Sequence, residues 1–305
     1  MKRNIYSKLW MIFFVLMGAA CTNQVEDAIP VSDQPIEFSV QSDWKEIPNT
    51  RANDGKTQFA KDDSIQIFGF HNSSSNGGQK DQKFMYRVGE PARGQIVEYD
   101  GENWIYSPKR FWPKEGTLDF YASYPQYSVL NDEENHKMTY EQTVNPLQLD
   151  LLWGVSNNHD CAKDSIKNVV INMKHALAKV IIHFDESSLG NIKQAVVSAY
   201  QKGYFSQTDS LGIPIWNVDT TSFQKATLLP FDKQQTIGDA TVFILPDRIK
   251  ELILTTLDGE EIDASDKIKN LNLKFKAGKL YDLKISQKKN TKTRSIAMSV
   301  RCVSK

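Results

Sequence analysis

Cys21 is the first residue whose type and position could do chemistry, because its thiol could carry a lipid. It follows the small residues Gly18, Ala19 and Ala20, which would admit a lipoprotein signal peptidase. Ahead of it, three basic residues flank the start of an apolar run at residues 9–20, shorter than the ~18 residues of a membrane-spanning helix. Residues 1–20 therefore predict a lipoprotein signal peptide and export. Gly18 stands where such sites usually carry leucine, so a plain secretory signal cut near Ala20 remains the alternative.

Arg51 is the second candidate, as a site of proteolytic processing rather than of catalysis. It lies beside Ala52 in a polar loop, residues 48–55, that a protease could reach. Before this loop, Ile36, Phe38 and Val40 alternate with polar residues, which is the pattern of a half-buried strand. We interpret residues 21–51 as a propeptide whose strand completes a core until the chain is cut after Arg51.

The remaining cysteines and the histidines indicate no catalytic or metal site. Cys161 and Cys302 could form a disulfide in an oxidising compartment, and the sequence leaves open whether the two thiols meet. His175 and His183 lie in an apolar stretch without the carboxylates or cysteines of a metal centre, which favours packed or hinge-facing histidines. The chain also lacks the serine-hydrolase elbow, the His-Glu-x-x-His motif and a phosphate-binding glycine loop. We expect neither an enzyme nor a bound metal or cofactor.

Charge and length exclude other classes of protein. The 305 residues contain 37 basic and 37 acidic side chains, and removal of the three basic residues of the leader leaves 34 against 37, a net charge of −3. The clustered basic surface of a nucleic-acid-binding protein is missing. About 285 residues remain after the leader, more than one compact core usually holds, so two domains are expected.

Short alternating runs of apolar and polar residues dominate the chain after the leader. They are separated by turn signals such as Asp100-Gly101 and Asp258-Gly259, and this pattern predicts an all-β fold of the sandwich type. We place the N-terminal domain at residues 52–166 and the C-terminal domain at residues 167–286.

The terminal segment, residues 287–305, begins as a polar spacer and then becomes periodic. Ile296, Met298, Val300 and Cys302 recur at every second position, which gives an extended strand one apolar face. This strand could belong to its own sandwich or be donated to a neighbouring molecule.

Four motifs taken together resemble a known family. They are Thr50-Arg51-Ala52 after a first strand, the turn from Ser107-Pro108 to Trp112-Pro113, the strand Leu-Asp-Phe-Tyr-Ala-Ser-Tyr-Pro at residues 118–125, and the run Lys-His-Ala-Leu-Ala-Lys-Val at residues 174–180. In their order and spacing the sequence is similar to the fimbrillin family, the Mfa-like lipoprotein pilins of Bacteroidetes type V fimbriae. The likeness extends from the leader to about residue 285. It implies two Greek-key-like, transthyretin-like β-sandwich domains in tandem behind a signal peptide.

The resemblance also implies a mode of assembly. A trypsin-like surface protease would cut after Arg51 and release the first strand, and the terminal strand of a neighbouring subunit would fill the groove left behind. The expected protein is a fimbrial pilin attached to the outer membrane through a lipid on Cys21. Its partners would be other fimbrial subunits and the protease, with a host surface ligand as a further candidate. The alternative is a surface adhesin or glycan-binding lipoprotein that has the same sandwiches and never polymerises.

Overall fold

The structure of the protein is a computed structural model. Strands make up 58% and helices 6% of it, and this composition confirms the predicted all-β class. The structure describes residues 29–43, 58–74, 80–132, 137–142, 150–164, 168–229, 237–290 and 293–303. Cys21, Arg51 and Ala52 lie outside these ranges. Within them, no helix has the length and apolar character needed to cross a bilayer.

The strands of the first half, numbered in chain order, are β1 (Val31–Pro35), β2 (Phe38–Ser42), β3 (Ser64–Asn72), β4 (Gln82–Met85), β5 (Gln95–Tyr99), β6 (Trp104–Ile105), β7 (Phe111–Pro113), β8 (Thr117–Tyr124), β9 (Val129–Asp132), β10 (Lys137–Glu141), β11 (Leu152–Asp160) and β12 (Val169–His175). Those of the second half are β13 (Ala178–Phe184), β14 (Ile192–Tyr200), β15 (Lys202–Phe205), β16 (Asn217–Val218), β17 (Phe223–Leu228), β18 (Asp239–Ile244), β19 (Ile249–Thr256), β20 (Glu261–Asp263), β21 (Leu280–Asn290) and β22 (Thr293–Val303). The described helices are short: α1 (Cys161–Asp164), α2 (Glu186–Leu189) and α3 (Ser265–Asn270).

The first half of the chain, here called the first sandwich, builds one large sheet around a core. Its strand order is β2-β12-β11-β8-β3-β5-β6, with β4 also paired to β3, while β1 and β7 form a separate two-stranded ribbon. Successive residues of a strand face opposite sides of the sheet, so the alternating apolar residues collect on one side. They form the first core, the buried cluster around Trp112, Phe120 and Ile171.

The second half is a sandwich of two four-stranded sheets. Their strand orders are β18-β13-β21-β22 and β17-β14-β19-β20. The facing sides enclose the second core, the buried cluster around Val180, Val197, Leu254 and Leu283. Because β22 pairs only with β21 among the described strands, it lies at the edge of its sheet.

Another four-stranded sheet joins the two halves. Its strand order is β16-β15-β10-β9, so β9 and β10 come from the first half and β15 and β16 from the second. Beside it lies the junction core, the buried cluster around Phe68, Trp153, Phe205 and Phe243. The rings of Trp153 and Phe205 meet edge to face with their centroids 4.9 Å apart. The two sandwiches therefore share buried side chains as well as a sheet.

Two predicted boundaries require correction. The C-terminal domain was expected to begin at residue 167, but β12 belongs to the first sheet, and Val169, Ile171 and Met173 pack in the first core. The chain changes sheets at residues 176–177, inside an apolar run that carries no turn signal to mark the change. The polar spacer predicted from residue 287 is instead the end of β21, which continues to Asn290 and pairs with β22 as a hairpin.

Candidate functional site

Residues 29–43, here called the leading segment, close the first sandwich. In the first part of the segment, β1 runs antiparallel to β7, and the backbone N–H of Lys114 donates to the Pro30 carbonyl over 2.9 Å. In the second part, β2 runs parallel to β12, and the N–H of Val169 donates to the Glu37 carbonyl over 2.8 Å. The segment thus passes from the ribbon to the edge of the large sheet and is hydrogen-bonded to both.

Three side chains of the leading segment lie in the first core. Ile36 is 0%, Phe38 5% and Val40 9% exposed, at the alternating positions where the sequence predicts buried residues. The Phe38 ring meets Phe120 edge to face, with centroids 5.4 Å apart, and lies 5.8 Å from the ring of Tyr106. The Tyr106 hydroxyl donates a hydrogen bond to the Ile36 carbonyl over 2.8 Å, and burial raises the pKa of Tyr106 to about 12, so this donor stays protonated.

A buried ionic cluster lies where the leading segment ends. His175, the last residue of β12, contacts Asp150 through Nδ1 (2.5 Å to Oδ2) and Asp43 through Nε2 (3.4 Å to Oδ1). Lys174 Nζ lies 3.8 Å from the other oxygen of Asp43. The backbone N–H of Asp43 donates to the Met173 carbonyl over 3.2 Å, which aligns its carboxylate with the end of β12.

The charge state of His175 depends on both carboxylates. Burial lowers the pKa of His175, but the negative charges of Asp150 and Asp43 and the hydrogen bond to Asp150 outweigh burial, so the pKa is raised above its ordinary value. Lys179 opposes them, and burial in turn lowers the pKa of Lys179. The ring of His175 therefore lies between one carboxylate of the leading segment and one of the remaining chain, and both favour its protonated form.

This cluster is the part of the site that sequence reasoning missed. The packed-histidine interpretation of His175 agrees with its burial, but its partners lie 25 and 132 positions away in sequence, and nothing marks Asp43 or Asp150 among the 37 acidic residues. Within the described ranges, no group of three or more His, Cys, Asp and Glu side chains could hold a metal ion.

The terminal strand β22 folds back on its own sandwich. It pairs antiparallel with β21 along its whole length, with Ile296 opposite Gln287 and Cys302 opposite Tyr281. Ile296, Met298 and Val300 are partly buried against the second core. Of the two alternatives that the sequence leaves open for this strand, the structure therefore displays pairing within its own sheet.

The disulfide between Cys161 and Cys302, which the sequence left open, is not formed. Both are free thiols: Cys161 is buried in the first core, and Cys302 is exposed on the edge strand of the second sandwich. Burial raises the pKa of the Cys161 thiol to about 12. Sequence could not decide this pairing because it depends on which sandwich each thiol joins.

A groove of about 1210 Å³ lies along the sheet that joins the two sandwiches. Its lining includes the exposed rings of Tyr127 and Tyr204. The guanidinium groups of Arg87 and Arg93 lie 5.1 and 5.0 Å from the centroid of the Tyr127 ring, which holds that ring in place. In contrast, Trp104, Trp112 and Trp153 are buried and act as packing anchors.

Two solved structures with the same fold cover almost all of this chain. A candidate cell adhesion protein from Bacteroides uniformis ATCC 8492 aligns over 88% of this chain and 98% of its own, with a TM-score of 0.53 and 16% identity. A second candidate cell adhesion protein, from Bacteroides ovatus ATCC 8483, aligns over 89% and 98%, with a TM-score of 0.52 and 13% identity. At these identities the likeness establishes the fold alone. No curated protein matches the sequence.

The sequence itself matches a family model described as fimbrillin-like over residues 50–300. This range contains both sandwiches from the start of β3 to most of β22. The chain therefore belongs to the fimbrillin-like family, whose members are non-enzymatic structural proteins of cell-surface fimbriae.

Proposed function

We propose that the chain is a structural subunit of a surface fimbria, exported as an outer-membrane lipoprotein, lipidated on Cys21, cut after Arg51 and assembled by donor-strand exchange. The observation that carries this proposal is the position of the leading segment. It supplies three buried side chains and two strands to the first sandwich, yet it lies upstream of Arg51 and would leave with the propeptide.

The energetic consequence of removing the leading segment is large. Burial of a side chain the size of Ile36, Phe38 or Val40 contributes ~1.5–3 kcal/mol, so the three together contribute at most roughly 5–9 kcal/mol. A whole domain has a net stability of about 5–15 kcal/mol. The trimmed sandwich would retain an apolar slot beside the unpaired backbone groups of β7 and β12, and such an edge binds an added strand through main-chain hydrogen bonds.

The terminal strand of a subunit is suited to be the donor. β22 lies at a sheet edge, so its release breaks one described strand pairing, that with β21, together with the packing of Ile296, Met298 and Val300 against the second core. Ile296, Met298, Val300 and Cys302 present the alternate side chains that an apolar slot requires. A cut upstream makes the exchange effectively one-way, because the released propeptide can diffuse away.

The test is the state of the protein recovered from the surface of cells that make it. We expect chains in the high-molecular-weight fimbrial fraction to begin at Ala52, and Arg51→Gln chains to retain residues 21–51 and stay outside that fraction. The matched control is Lys56→Gln, which changes a neighbouring basic residue and should assemble as wild type. Fimbriae built from uncut chains, or normal assembly of Arg51→Gln, would refute the proposal.

The lipid anchor has a separate readout. Mass spectrometry of the uncut Arg51→Gln chain in the membrane fraction should find diacylglycerol on Cys21. The Cys21→Ser variant should be exported without membrane attachment. An unmodified Cys21 in membrane-bound protein would contradict the anchor while leaving strand exchange standing.

The groove with exposed Tyr127 and Tyr204 favours a second candidate function, a surface adhesin that binds a host glycan. Aromatic faces and polar groups in a cleft between domains are common features of ligand sites. On a glycan array, a bound glycan that is lost in Tyr204→Ala, together with no cleavage-dependent assembly, would favour the adhesin over the pilin.

A further inference from the structure

The groove under the leading segment has a charged end as well as an apolar floor. From Ile36 to Asp43 the segment follows one pattern: apolar residues at Ile36, Phe38 and Val40, then a carboxylate three positions later. The carboxylate of Asp43 is 13% exposed and faces the imidazole of His175, which is 6% exposed. The apolar positions fix the register of a strand in the groove. The charged end of the groove adds a second requirement, a carboxylate at the position of Asp43.

Departure of Asp43 would leave that end of the groove positive. Among the described residues, the groups that remain there are His175, Lys174, Lys179, Tyr140 and Asp150, and Asp150 is the one carboxylate in this set. Removal of one partner from a buried charge pair is costly because the other charge is left without compensation. An incoming strand would therefore bind best if it returned a carboxylate to the position of Asp43.

The side chains of residues 287–305 cannot supply that carboxylate. Residues 287–305 contain no Asp or Glu and six basic residues. Alignment of Ile296, Met298 and Val300 with the three apolar positions places Val303 at the position of Asp43, and a shift by two residues places Lys305 there. The first register leaves the imidazolium without its partner, and the second adds a like charge. Such mismatches exclude a wrong partner as effectively as good contacts favour the right one.

We infer that the groove accepts the terminal strand of a different subunit, with an acidic residue three positions after the last of three alternating apolar residues, and rejects the tail of a second copy of this chain. This inference rests on the proposed strand exchange and adds partner choice to it. The chain's own tail would then serve the groove of another kind of subunit, so that assembly is heterotypic and ordered.

The test measures peptide binding to the trimmed chain by competition in fluorescence anisotropy. Four peptides with amidated C-termini, which carry no terminal carboxylate, are compared: residues 29–43, the same peptide with Asp43→Asn, residues 293–303, and that tail peptide with Val303→Asp. We expect Asp43→Asn to weaken binding by about tenfold or more, and Val303→Asp to tighten binding of the tail peptide by a similar factor. In the trimmed His175→Gln chain, the difference between the first two peptides should fall to within about threefold, as a double-mutant cycle requires.

The outcomes separate the two proposals. If the peptide of residues 29–43 binds and Asp43→Asn binds equally well, or if the tail peptide binds as tightly as the leading segment, partner choice by charge is wrong while strand exchange stands. If no peptide enters the groove, strand exchange itself fails and the inference fails with it. The peptide arms decide the matter even if His175→Gln does not fold, because they leave the protein unchanged.

Discussion

Truncation of Phe38 to alanine should destabilise the uncut protein far more than truncation of an exposed residue of the same strand. The Phe38 side chain is 5% exposed and contacts the rings of Phe120 and Tyr106 in the first core. A buried Phe→Ala change costs about 3–5 kcal/mol, the sum of lost transfer free energy and the cavity left behind. The midpoint of thermal unfolding should fall by roughly 6–20 °C, since 1 kcal/mol corresponds to about 2–4 °C in a protein of this size class.

The matched control is Gln41→Ala, an exposed residue on the same strand, which should change the unfolding free energy by no more than about 0.5 kcal/mol. Urea unfolding of the uncut chain, followed by tryptophan fluorescence, measures both variants, because Trp112 is buried in the same core. If Phe38→Ala were as stable as Gln41→Ala, the leading segment would not contribute to the core. The slot required for strand exchange would then have no energetic basis.

Two further predictions concern groups with shifted pKa values. The first uses a chain in which the leader cysteine is replaced by serine. In its native state this chain should react with a thiol reagent once, at the exposed Cys302. Cys161 should react only after unfolding, because burial raises its pKa to about 12, and equal labelling rates for the two thiols would contradict this. The second prediction concerns Asp43→Asn. This substitution should lower the unfolding free energy most below pH 6.5, and the loss should become smaller as the pH rises above that value. The pKa of His175 is raised above 6.5 in the folded state, so its contribution is fully present below 6.5 and disappears as pH rises through the folded value. A loss that is the same or larger at higher pH would exclude an ion pair between Asp43 and His175.

Local patterns in the sequence predicted the fold class and part of the candidate site. Alternation over five residues is enough to identify Ile36, Phe38 and Val40 as one face of a strand, because the side-chain period of a strand is two wherever it pairs. Turn dipeptides and short runs likewise predict an all-β chain. The cysteine of the leader and the arginine loop are also local signals, and they remain predictions because they lie outside the described residues.

Contacts between residues that are distant in sequence could be identified only from the tertiary structure. The parallel pairing of β2 with β12 shows that the domain boundary lies beyond residue 167. The sequence did not indicate this, because an apolar run can pack in either sandwich. The ionic contacts of His175 with Asp43 and Asp150 arise because three separate strand ends converge, and no local pattern encodes that convergence. The terminal strand shows the same division. Its apolar face follows from residues at every second position of the sequence, whereas the sheet to which it pairs depends on which strand edge is open.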